Sequence, residues 1–193
     1  MAKLKKFVAY RRLESRPNTR KSKYKGKAYN RSIPPSKIVK YDLGNNKRSD
    51  FPYVVVLTSI TEGQIRSNAL ESARQTCTRH MEQNAPMSEY HIQIRAYPHH
   101  IMRENPLATG AGADRLSTGM SAAFGVPTGV AVRVPIGKVL VAIFCNKERI
   151  EVAKAALQTS VYKIPCSCKI YAFENKKKDT RKKKSEEVEN SED

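Results

Sequence analysis

Nine cationic side chains lie between positions 11 and 31, namely Arg11, Arg12, Arg16, Arg20, Lys21, Lys23, Lys25, Lys27 and Arg31, and Phe7, Tyr10, Tyr24 and Tyr29 are interleaved with them. The chemistry this composition supports is non-covalent. Lysine and arginine neutralise phosphates and release counterions, arginine adds bidentate geometry, and aromatic rings such as that of Tyr24 stack on unpaired bases. A solubilising tail or a localisation signal would use the same residue types, but an address signal needs only about 5 to 8 residues. No zinc finger and no basic region with heptads is present, so RNA is favoured over DNA.

Other candidate chemistry is weaker. Thr109 to Asp114 carries Gly110 and Gly112, yet it lacks the third glycine of a dinucleotide fingerprint and the Lys-Ser/Thr pair of a P-loop. It reads better as a glycine-rich loop that lets backbone approach RNA beside Arg103 and Arg115. His99 and His100 with Cys166 and Cys168 could suggest a metal site. The Cys-x-Cys spacing is not that of structural zinc, and alternation with Ile164 and Ile170 points to core packing, so no metal and no cofactor is expected. His99 and His100 are read as RNA-contacting or loop-supporting residues. Glu104 and Asp114 are the nearest approach to a carboxylate pair, and no nucleophile with an orienting base is recognisable. A non-enzymatic protein is expected.

The elements that must position these residues follow from charge and periodicity. The chain of 193 residues has 36 Lys+Arg against 18 Asp+Glu, a net charge of +18. Residues 1 to 40 hold 14 of the cations and one acid, Glu14, so +13 of the +18 falls there. With almost no aliphatic residue before Ile33, this stretch cannot offset the ~1 to 2 kcal/mol per residue of backbone ordering. It is expected to be a basic arm, 1–40, ahead of a folded domain, 41–174, and a charged, disordered tail, 175–193. No apolar run approaches the ~18 residues of a membrane span and no secretory h-region opens the chain, so a soluble intracellular protein with reduced thiols is expected.

Within the domain, Tyr53 to Leu57 reads as a buried strand, and Thr61 with Gln64 reads as a capping box opening a helix striped by Ile65, Ala69, Ala73, Cys77 and Met81. Tyr90, Ile92, Ile94 and Ala96 alternate with His91, Gln93, Arg95 and Tyr97 in a half-buried strand whose outer face is polar and basic. A long loop is expected over 98–129, with one short helix inside 114–124. Strands over 130–134 and 139–144, a helix capped by Asn146 with Ile150, Ala153, Ala156 and Leu157 inward, and a strand over 164–173 complete the pattern. The fold class expected is α+β, a mixed sheet with two helices packed on it.

Several separate motifs then fall in the order of one known family. The runs from Gln64 to Arg74, from Tyr97 to Asn105, and from Ala108 to Arg115 through Gly119-Met120, Ala123 to Gly125 and Pro127 resemble the universal large-subunit ribosomal protein L-sixteen family, in its archaeal and eukaryotic form L-ten-e. The likeness covers about Tyr10 to Ala172. It implies an α+β domain of hammerhead type that binds large-subunit rRNA in the cytoplasmic ribosome, beside other large-subunit proteins, with no membrane partner and no homo-oligomer. It also implies that the loop comprising Met102, Arg103, Glu104, Asn105, Pro106, Leu107, Ala108, Thr109, Gly110, Ala111 and Gly112 faces tRNA in the A- and P-site region near the peptidyl-transferase centre. The alternative is a free-standing RNA-binding factor or RNA-modifying enzyme using the same arm.

Overall fold

A computed structural model describes residues 6–13, 17–19, 32–47, 50–105, 110–116, 119–121 and 125–175. In chain order the elements are β1 (Asp42–Gly44), β2 (Tyr53–Ser59), β3 (Gly63–Arg66), α1 (Ser67–Asn84), β4 (Tyr90–Ile94), β5 (His100–Glu104), α2 (Ala113–Leu116), β6 (Val126–Val134), β7 (Val139–Cys145), α3 (Ile150–Val161) and β8 (Cys168–Glu174). A short 3-10 turn, Phe7–Tyr10, precedes them. The α+β class with two packed helices is what forms.

The strands make two sheets, β1-β4-β7-β2-β8 and β3-β6-β5, and every pairing is antiparallel. This corrects the expectation of one mixed sheet. The apolar runs β6 and β7 are joined by only four residues, as read from sequence, but that corner carries the chain from one sheet into the other. Ser59, buried at the end of β2, pins the corner: its hydroxyl donates to the Pro135 carbonyl at 2.8 Å, and its own carbonyl accepts the Gly137 N–H at 2.8 Å. Strand pairing is settled by such non-local bonds, which no local pattern encodes.

The core lies between the helices and the inner faces of both sheets. Val55, Leu57, Ile92, Val141 and Ile143 enter from the larger sheet and Ile65, Val132 and Val134 from the smaller. The two long helices meet through small side chains: Ala73 and Cys77 on α1, and Ala153, Ala156 and Ser160 on α3, are all fully buried. Small side chains let the helix axes approach closely. The buried Ser160 hydroxyl is satisfied by the Ala73 carbonyl at 3.1 Å and the Ala156 carbonyl at 3.2 Å.

Four local expectations need correction. The Thr61–Gln64 capping box does not form. Residues Gly63–Arg66 pair with β6 instead, Thr61 Oγ1 accepts the Ser167 N–H at 3.0 Å, and α1 starts at Ser67 without a side-chain cap. Ile65 therefore enters the core from a strand, and Leu70 takes the helical position assigned to Ala69. Asn146 opens a 3-10 turn, its carbonyl accepting the Arg149 N–H at 3.0 Å, before α3 begins. The last strand begins at Cys168, although Ile164 and Cys166 are buried just before it. The fourth correction concerns 98–129, which contains β5, the four-residue α2 and the start of β6 in place of one long loop. Pairing of β5 with β6, Ile101 opposite Val130 and Glu104 opposite Val126, is what converts its ends into a ribbon.

That ribbon depends on Gly125. A Cβ there would lie 2.6 to 2.8 Å from the Glu104 backbone. Gly125→Ala is expected to force the strand ends apart at a cost of about 1 to 3 kcal/mol, as for an overpacked site. Urea denaturation should show a lower midpoint at unchanged slope. An unchanged midpoint would show that the two strands do not need this close approach.

Candidate nucleic-acid interface

The described part of the basic segment is anchored at both edges of the three-stranded sheet. Next to β3, the Phe7 ring packs over Gly63, where a Cβ would come within 2.8 Å of it, and Gln64 Nε2 donates to the Arg12 carbonyl at 3.1 Å. Beside β5, the other edge strand, the Ile101 N–H donates to the Asn18 carbonyl at 2.8 Å. The Asn18 N–H in turn donates to His100 Nδ1 at 2.8 Å. These ties use backbone groups, the Gln64 amide and the Phe7 and His100 rings. Arg11 and Arg12 remain exposed. The segment 1–40 also reaches the core, because Ile38 is buried and Phe7 packs against the cluster. Arg16, Arg20, Lys21, Lys23, Tyr24, Lys25, Lys27 and Arg31 lie outside the described residues, as does the tail from 176.

The histidine pair divides, as adjacent residues on extended backbone must. His100 is buried and accepts from Asn18, which places its proton on Nε2. His99 is half-buried on the other side, with Nδ1 donating to the Tyr97 carbonyl at 3.1 Å. Arg95 follows β4 in the larger sheet, exposed, with its Nε donating to Gln93 Oε1 at 3.0 Å. Arg103 is exposed on β5 in the smaller sheet and Arg115 is exposed on α2. Among the described residues, Arg95 and Arg103 thus belong to different sheets and Arg115 to neither.

Met102 and Glu104, grouped with the loop in the sequence, belong to β5. Met102 pairs with Gly129 and Glu104 with Val126, so this part of the segment is ladder, and Thr128 Oγ1 also donates to the Met102 carbonyl at 3.3 Å. The loop proper begins at Asn105, whose Nδ2 lies 3.5 Å from the Gly119 carbonyl and brings the two stems of the loop together. Gly110 and Gly112 adopt φ of +118° and +76°, conformations that side-chain-bearing residues rarely adopt. Pro106, Leu107, Ala108 and Thr109 lie outside the described residues.

The outer face of the larger sheet holds residues the sequence reading missed. Tyr171 and Phe173 on the edge strand β8 stack with centroids 6.0 Å apart, and Lys169 Nζ sits 5.4 Å over the Tyr171 ring. Across the sheet His91 stacks on Phe144 at 5.6 Å. The sequence signal for this face is the alternation of Lys169, Tyr171 and Phe173. Arg133, directly opposite Gln64 in the smaller sheet, was also missed.

The thiols behave as core groups. Burial pushes Cys166 and Cys168 up to about 11 and Cys77 up to about 12, from an ordinary 9.0. Among the described residues no group of three or more His, Cys, Asp or Glu is placed to hold a metal ion. Because the folded thiols bind protons more tightly than the unfolded ones, their contribution to stability is complete below about pH 9 and is lost as pH climbs towards 11. Iodoacetamide at pH 8 should label the native chain far more slowly than the chain in denaturant, and replacing Cys166 by Ala with Cys168 by Val should cost about 1 kcal/mol. Rapid native labelling would contradict this burial.

An α+β domain that presents an anchored basic segment, two exposed arginines in separate sheets and stacked surface aromatics has the attributes of a scaffold for polyanion binding. Residues 14–171 match the family described as ribosomal protein L16p/L10e, and the chain belongs to that family. It is 42% identical over 161 residues to the large ribosomal subunit protein uL16 of Archaeoglobus fulgidus, covering 83% of this chain and 88% of that one. The protein of the same name from Methanococcus maripaludis is 40% identical over 167 residues, covering 86% and 92%. That from Staphylothermus marinus is 41% identical over 147 residues, covering 76% and 84%. These relatives are named as ribosomal proteins and not as enzymes. Among the described residues no helix is long and apolar enough to cross a membrane.

Proposed function

We propose that the chain is a structural constituent of the large ribosomal subunit, that it binds large-subunit rRNA through the basic segment and the outer face of the larger sheet, and that its 105–119 loop supports tRNA positioning near the peptidyl-transferase region. Family membership supports the first part. The observation that carries the second is the anchoring of the basic segment at both edges of one sheet, among the described residues, by groups that leave Arg11 and Arg12 exposed. A flexible tail would offer the same charge, but anchoring lowers the entropy lost when phosphates bind. Arg95, His99, Arg103 and Arg115 extend the reading to the domain, and neighbouring large-subunit proteins are the expected protein partners.

Sedimentation tests the assignment. The full chain is expected to co-sediment stoichiometrically with large subunits through a high-salt wash. A chain that washes off at moderate salt would be a free-standing RNA-binding factor.

A further inference from the structure

A cavity of about 420 Å³ opens where the Phe7–Tyr10 turn, the start of α1 and the end of α3 meet. Its volume is in the range of small-ligand sites. Its walls combine two kinds of residue. Tyr10 and the strongly exposed Tyr162 present aromatic rings, and Arg66 and Lys163 present cations, and among the described residues no Asp or Glu lines it. The Arg66 Nη1 is withdrawn from solvent and has no hydrogen-bond partner among the described residues. An unpaired guanidinium donor is costly, Arg66 itself lines the cavity, and a phosphate oxygen is the acceptor a guanidinium fork matches best. Asn68 and Ala69, in the first turn of α1, also line the cavity. That helix starts without a side-chain cap, so its first N–H groups add donors and partial positive charge on the same side.

We propose that this cavity receives one unpaired nucleotide of large-subunit rRNA, its base against the rings of Tyr10 and Tyr162 and its phosphate against Arg66, Lys163 and the first turn of α1. The proposal rests on the rRNA binding put forward above and assigns it a second, pocket-like contact, separate in kind from the extended basic segment. The Phe7–Tyr10 turn forms one wall because Gly63 lets the Phe7 ring lie directly on β3. Docking of the Phe7–Tyr10 turn on β3 therefore completes the cavity.

The test compares large subunits carrying the full wild-type chain, Tyr162→Ala or Arg66→Met, probed with a 2′-hydroxyl acylating reagent and dimethyl sulfate. Tyr162 is exposed, so its loss spares the core, and methionine keeps the aliphatic stem of Arg66. Both variants should remain stoichiometric after the high-salt wash while the same single nucleotide gains roughly ten-fold in reactivity, the scale of one lost base–aromatic stack. Unchanged reactivities with stoichiometric variants would overturn the cavity assignment alone. Unchanged reactivities with saturable binding of AMP to the free chain would assign the cavity to a free nucleotide and overturn it equally. A wild-type chain absent from washed subunits would overturn the ribosomal reading and this proposal with it.

Discussion

Replacing Arg11, Arg12, Arg16, Arg20, Lys21, Lys23, Lys25, Lys27 and Arg31 together by glutamine is expected to abolish most of the salt dependence of rRNA binding and to weaken binding at low salt by orders of magnitude. Each phosphate contact releases counterions, and a protein making 6 to 10 such contacts loses about 10³ to 10⁵ in affinity between 50 and 200 mM salt. The fold should survive. Among the described residues the ties that hold the segment run through Gln64 to the Arg12 carbonyl and through Asn18 to His100 and Ile101, and no cationic side chain serves as an anchor in them. Substitution is the better experiment than truncation at residue 40, since truncation would also remove Ile38 and Phe7 from the core. Equal log-log slopes for the variant and the wild type, measured on rRNA fragments by filter binding, would show that the segment does not contact phosphate.

Deleting 106–118 and joining Asn105 to Gly119 with a short Gly-Ser bridge is expected to leave folding almost intact and to impair translation severely. The stems are already close, with Asn105 Nδ2 at 3.5 Å from the Gly119 carbonyl, so a short bridge spans them. Closure entropy depends only weakly on loop length, about 0.6 kcal/mol for each doubling, and the β5–β6 ladder below the loop is untouched. The melting temperature should stay within a few degrees, since ~1 kcal/mol shifts it by about 2 to 4 °C at this size. Subunits should still incorporate the protein, yet peptide synthesis by them should fall through weaker tRNA positioning. Unfolding of the variant, or synthesis at the wild-type rate, would remove the functional assignment of the loop.

The half-buried strand at Tyr90–Ile94 and the inward stripe of α3 were legible because a period of 2 or 3.6 is imposed by one wet and one dry face. The capping box at Thr61 was a true local signal that lost to pairing. Forming β3 against β6 buries Ile65 and Val132 fully, a larger gain than the ~1 kcal/mol a cap provides. The candidate site was legible in the same uneven way. Residue types announced the basic segment, since charge density needs no geometry. The Asn18–His100 tie spans 82 positions and the cavity joins three segments distant in sequence, so neither leaves a periodic trace.

What the sequence determined by itself was the kind of partner, because net charge and its position act over a Debye length whatever the fold. It also determined which faces of β4 and α3 turn inward, since transfer of apolar surface out of water depends on side-chain identity. The tertiary structure alone decided that the strands form two antiparallel sheets and that the basic segment is moored at both edges of the smaller one. It also decided that Arg66, read as a residue within a helical run, is a strand-end guanidinium lining a cavity. Those outcomes hang on hydrogen bonds and contacts between residues far apart along the chain, whose energies compete with local preferences and are set only once the core has closed.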